Sequence, residues 1–206
     1  MIKDEEYQNQ AIMKNSKMIN IKNIDKKALC KIYAFGLIGS GFLIEFKKNN
    51  NPFYCLLTAA HVIENNKSNM NNDIEVLYNN ENNSIKINLN ERFKRNYSRY
   101  MGIDAFVIEI LPEDNVDKSF FLKPNLDFVN DIQEIAKKEI VIIQYPSGED
   151  ISISTGEILK VNKYTNEIFH KSSTKNGSSG SPIILLKSKT VIGIHVKGNK
   201  KKIVDI

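Results

Sequence analysis

The chain has 206 residues, of which 41% are hydrophobic, 26% charged and 9% aromatic. That composition suits one large folded domain or two small halves and excludes a disordered or fibrous protein. The 29 basic and 24 acidic residues leave a formal charge of +5, spread along the chain with no concentrated basic arm, so charge alone selects no partner.

Two cysteines, Cys30 and Cys55, are too few for a secreted disulfide framework. A single bridge between them is compatible with the sequence, and a reducing, cytoplasmic setting is the simpler expectation. The opening MIKDEEYQNQ is polar where a signal peptide carries an apolar core, and the uncharged apolar-rich run 32–44 is too short to cross a bilayer. Three histidines and two cysteines without ligand spacing offer no structural zinc site, so neither metal nor cofactor is expected.

In chain order, residues 4–19 (DEEYQNQAIMKNSKMI) fit a helical stripe poorly and read as a short helix or loose extension. From Lys27 the texture changes to short β-rich runs, ALCKIYAF, FLIEF and FYCLLTAA, broken by Gly36, Gly39 and Gly41. Between asparagine clusters, IEVLY and SIKINL alternate apolar and polar residues and predict two more strands. AFVIEI follows, and then the segment 111–138, which has two prolines and little period-two pattern and is expected to connect two halves. The remainder, EIVIIQYP, SISTGEILKV, a loop, SPIILL, TVIGIHV and KKIVDI, is short and β-branched. Both halves are β-rich with no βαβ alternation.

Three short motifs carry candidate chemistry. GSSGSP (177–182) leads into the apolar run IILL and presents Ser179 at a glycine-flanked turn, where the amides of Gly177 and Ser179 can point together at a developing oxyanion. LLTAAHVIE places His61 after an apolar strand and three small residues, close against the end of a sheet. GIDAFVIEI sets Asp104 just before another strand, where a buried carboxylate accepts the proton-bearing nitrogen of His61. Each alone is ordinary; together they give the order His61, Asp104, Ser179, that of the chymotrypsin-type triad and not of the subtilisin or α/β-hydrolase types.

On these motifs the sequence resembles the trypsin/chymotrypsin-like serine peptidases from about Ala28 to Val196. GSGFLIEF matches the first-barrel hairpin, TAAHV the histidine motif, IDAFVIEI the aspartate motif, QYPSG a turn after a second-barrel strand and GSSGSP the nucleophile motif. The chain departs from the pattern at Gln144, where a glycine often precedes Tyr-Pro, and in having no helix-like segment after KKIVDI.

The resemblance implies an all-β fold of two antiparallel β-barrels with the active site in the cleft between them. It divides the chain into an N-terminal extension (1–27), a first barrel (28–112) and a connecting segment with a second barrel (113–206). It further implies a serine endopeptidase that needs no cofactor, takes polypeptide substrates, and does not mature by insertion of a freed N-terminus, since no Ile-Val-Gly-Gly site is present. Among family branches the motifs look most like glutamyl endopeptidases of bacterial type. Thr174 and His195 match the threonine and histidine with which those enzymes hold a substrate carboxylate, which implies cleavage after Glu; the competing reading makes His195 a core or rim histidine of an apolar pocket that takes Leu or Phe.

Two other readings compete. A catalytically silent peptidase-like module would use the same cleft to hold a protein partner. A nucleic-acid binder would use Lys197, Lys200, Lys201 and Lys202, but no aromatic residue is interleaved with them, so neither nucleic acid nor membrane is expected as a partner.

Overall fold

Successive side chains of a strand alternate between its two faces, so an apolar run without polar interruption needs an apolar layer on each side. The computed structural model, which describes residues 24–64, 73–97, 103–127, 132–165, 167–197 and 202–205, supplies both layers. Within the run 42–44, Leu43 packs with Ile32, Leu56, Ile74 and Ile108 in one core. Its neighbours Phe42 and Ile44 pack on the opposite face with Leu57, Val141, Ile143 and Ile194. The run 140–143 repeats the pattern: Val141 and Ile143 join that shared layer, while Ile140 and Ile142 enter a third core with Ile158, Ile168 and Ile183. Each such side chain contributes about 1.5–3 kcal/mol by leaving water.

The outer cores belong to two curled antiparallel sheets. The first holds β1 (Leu29–Ala34), β2 (Leu37–Lys48), β3 (Asn51–Thr58), β4 (Asp73–Tyr78), β5 (Asn83–Asn88), β6 (Lys94–Tyr97) and β7 (Ala105–Glu109), in the order β5-β4-β1-β2-β3-β7-β6. The second closes into a barrel from β8 (Glu139–Gln144), β9 (Ser152–Asn162), β10 (Glu167–His170), β11 (Pro182–Leu185), β12 (Val191–Lys197) and β13 (Lys202–Asp205). The fold is thus all-β and chymotrypsin-like, with two antiparallel barrel-like sheets packed across one apolar layer.

Between the sheets the chain makes short 3-10 turns at Pro112–Asp114, Lys118–Phe120 and Ile132–Ile135. It is stitched to both: Leu122 bridges Ile44 of β2, and Pro124 bridges Val191 of β12. Lys31 of β1 adds a polar link, with its ammonium on Glu81 at 2.9 Å and 4.7 Å above the ring of Tyr145.

Cys30 and Cys55 are both free and buried. They lie on opposite faces of the first sheet, Cys30 in its own core and Cys55 in the layer shared between sheets, so no bridge joins them. The stretch read as a short helix or extension at 4–19 lies outside the described residues, as do the side chains of Lys197, Lys200, Lys201 and Lys202. No helix among the described residues is long and apolar enough to cross a membrane.

Candidate active site

The register of the first sheet brings His61 to Asp104. β3 and β7 run antiparallel with Thr58 opposite Phe106. Beyond that pair the two chains leave the sheet together, one towards Ala59 and Ala60 and the other towards Asp104. Ala59 and Ala60 are fully buried, and their small side chains let a one-turn helix, α1 (Ala60–Glu64), tuck against the sheet end.

Asp104, 6% exposed, then meets His61 twice. One carboxylate oxygen accepts the His61 backbone N–H at 3.0 Å, and the other lies 2.8 Å from His61 Nδ1. A carboxylate can only accept, so Nδ1 carries the proton and Nε2 is left as the acceptor.

Ser179 and His61 line one cleft, together with Leu37, Ile38, Val62, Asn176 and Gly177. The Ser179 hydroxyl donates to the Val196 carbonyl at 3.2 Å.

The loop around Ser179 is fixed peptide by peptide. A trans peptide points its C=O and N–H in opposite directions, so pinning one end aims the other. Asn176 C=O accepts from the Ser147 amide. Gly177 C=O accepts from the Ser40 hydroxyl at 2.8 Å. Ser178 C=O accepts from the Ser181 amide at 3.1 Å, and Ser179 C=O from the Ser40 amide at 2.9 Å. Among the corresponding N–H groups, that of Ser178 donates to Lys175 and that of Gly180 to His195. Those of Gly177 and Ser179 have no acceptor among the described residues, and both border the cleft.

Two glycines make this path possible. Gly177 has φ +83°, and a Cβ there would lie 2.6 Å from the Tyr145 carbonyl oxygen; Gly180 has φ +91°, and its Cβ would overlap the Ser40 carbonyl oxygen. Side-chain-bearing residues fit neither position.

His195 lies on β12 beside Val196 and is 1% exposed. Its Nδ1 is 3.4 Å from Nε2 of His170, which is itself fully buried on β10. His170 Nδ1 accepts the Ser172 amide at 3.1 Å, so the His170 proton sits on Nε2 and is donated to His195 Nδ1. His195 therefore carries its own proton on Nε2 as a neutral ring. Burial, reinforced by the neighbouring His170 and His61, lowers its pKa to about 3. Thr174 is half-buried, between Ser173, whose carbonyl accepts from Gln144 Nε2 at 3.0 Å, and Lys175, whose amide donates to Ser178 Oγ at 3.2 Å. No hydrogen bond joins Thr174 to His195 among the described residues.

Two contributors escaped sequence reasoning. Ser40 sits between Gly39 and Gly41 in a hairpin motif, and His170 lies in the stretch between SISTGEILKV and SPIILL that reads as a loop. The apolar Ile168 flanked by Glu167 and Phe169 was the available signal for that strand.

No cluster of three His, Cys, Asp or Glu able to hold a metal occurs among the described residues. The site as built holds a polarised imidazole, a hydroxyl and two unengaged amides in one cleft, the groups that acyl transfer requires.

Comparison with curated proteins finds no match. Among solved structures, the Rv3671c protease of M. tuberculosis in an inactive form is similar at 15% identity, over 88% of this chain and 84% of that chain, with a TM-score of 0.61. A serine endoprotease from Yersinia pestis is similar at 17% identity, over 88% of this chain and 60% of that chain, with a TM-score of 0.62. At these identities the likeness is one of fold. The sequence itself goes further, because residues 39–194, which span the histidine, aspartate and serine motifs, match the profile of the trypsin-like peptidase domain, and the chain belongs to that family.

Proposed function

We propose that this protein is a serine endopeptidase that cleaves polypeptides through an acyl-enzyme, with His61, Asp104 and Ser179 as its triad. The observation that carries the reading is the pairing of His61 Nδ1 with Asp104 at 2.8 Å in a cleft that also holds Ser179 and Gly177. Ser179 Oγ leaves the Val196 carbonyl, turns to His61 Nε2 and attacks the scissile carbonyl carbon. Its proton passes to Nε2, and the carbonyl electron pair moves onto oxygen. The free amides of Gly177 and Ser179 receive that oxyanion, each worth about 3 kcal/mol in comparable sites. Collapse expels the amine, which takes the proton from His61, and water repeats the sequence to release the acid. Asp104 holds the tautomer and stabilises the imidazolium.

Cleavage falls after Glu, with Asp second. The support is His195 as a neutral donor whose tautomer is set by His170. An imidazole N–H and the Thr174 hydroxyl can hold a carboxylate without burying an opposing full charge. We take the chain as one peptidase domain, with its connecting segment beginning near residue 113.

A fluorophosphonate probe tests the reaction. It is expected to label the wild type and not Ser179→Ala, and His61→Ala is expected to lose nearly all turnover. Equal labelling of wild type and Ser179→Ala would remove Ser179 as the nucleophile. Sequencing the new N-termini of a digested proteome tests the preference; cuts spread over Leu, Met and Phe without Glu enrichment would refute it and spare the peptidase assignment.

A further inference from the structure

We propose that the Ser40 side chain is a positioning residue for the oxyanion-binding loop, an inference that rests on the peptidase reading above. Ser40 is fully buried on β2, in the opposite sheet from the nucleophile, and all its polar groups are committed. Its hydroxyl donates to Gly177 C=O at 2.8 Å and accepts the Tyr145 amide at 3.2 Å. Its own amide donates to Ser179 C=O at 2.9 Å, and its carbonyl accepts the Thr58 hydroxyl at 2.7 Å.

Among the carbonyls that orient the loop from Asn176 to Ser179, Gly177 C=O is the one held by a side chain. It is also the one with the least intrinsic restraint, because glycine visits many backbone conformations at little cost. Without the hydroxyl, the Gly177–Ser178 peptide keeps only the bond from the Ser178 N–H to the Lys175 carbonyl, and the glycine on its N-terminal side gives it room to turn. A turn of that peptide changes the backbone torsions of Gly177 and Ser178 that flank it, so the Gly177 and Ser179 N–H groups on either side lose their common aim, although no atom that touches substrate has been removed.

A serine suits the position because one short-armed oxygen must donate and accept at once. Alanine does neither, and it leaves the Tyr145 amide unpaired beside a fully buried ring.

Steady-state kinetics on a peptide amide, paired with inhibition by a peptidyl trifluoromethyl ketone, tests the proposal. The ketone forms a tetrahedral adduct at Ser179 whose oxyanion occupies the same hole. For Ser40→Ala, kcat is expected to fall about ten- to a hundredfold, less than or comparable to losing one oxyanion donor outright, with KM nearly constant. The ketone Ki is expected to rise by a similar factor. Ser40→Cys, of similar size and with a weaker donor, falls in between.

A folded Ser40→Ala with kcat near the wild-type value overturns the proposal, as does a kcat loss with no change in ketone affinity. If Ser40→Ala does not fold, Ser40→Cys carries the comparison, and wild-type ketone affinity in that variant overturns it. An inactive, unlabelled wild type removes the peptidase reading and this inference together. An active wild type with insensitive Ser40 variants removes this inference alone.

Discussion

Acid titration gives a direct check on the buried histidine pair. His195 has a folded pKa near 3, against an ordinary value of 6.5 in the unfolded chain. Between those values the unfolded chain binds a proton that the folded protein excludes, so stability falls as pH drops through the window and is fully present above it. Linkage over a shift of this size removes about 2–3 kcal/mol between pH 7 and 4.5. Carboxylates elsewhere also titrate on the way down, so the measurement is a difference between wild type and His195→Asn. The asparagine side-chain oxygen can still accept from His170 Nε2, while the titrating group is gone. The chain has no tryptophan, so urea unfolding is best followed by far-UV circular dichroism. The wild type should lose about 2–3 kcal/mol more than the variant across that interval. Parallel stability curves would show that His195 is solvated or protonated in the folded protein, which would also undo its role as a neutral donor.

Asp104→Asn should leave the fold intact and cost up to about four orders of magnitude in turnover, because the amide favours the wrong His61 tautomer; turnover within tenfold of wild type would refute the orienting role. Tyr145 is fully buried and its hydroxyl has no hydrogen-bond partner among the described residues, so Tyr145→Phe should be neutral or stabilising by up to about 1 kcal/mol in thermal melts, and clear destabilisation would reveal a bound water. Burial pushes the Cys55 thiol up to about 12 and the Cys30 thiol higher still, leaving almost no thiolate at neutral pH. Activity should therefore survive dithiothreitol, and iodoacetamide should modify the unfolded chain far faster than the native one, as mass spectrometry would record.

Unbroken apolar runs made the central strands legible: β2, β3 and β8 are buried on both sides, so their composition leaves little choice. β6 (KRNY) has no such run; it forms at the sheet edge by pairing with β7, and that partner was not readable from four polar residues. β10 has only Glu167–His170, and its two apolar residues make too short a run to set it apart from the loop around it, which hides His170 as well. The histidine, aspartate and serine motifs could be found because small residues, glycines and strand starts surround them locally. The supports could not, since Ser40 and His170 act through contacts with residues distant in sequence, and no local pattern encodes such a contact.

Ser40 and Gly177 are 137 positions apart, and Gly180 relies on a carbonyl from β12, which follows it in the chain. Synthesis from the N-terminus therefore completes the first sheet, then extrudes the nucleophile loop, and only afterwards supplies the strand that gives the loop its shape. Contacts of such long sequence separation form late and slowly. Whatever reaction the cleft performs, a nascent or half-melted chain presents the same side chains without the arrangement, so the protein remains chemically quiet until both sheets have docked and loses its chemistry as soon as either one opens.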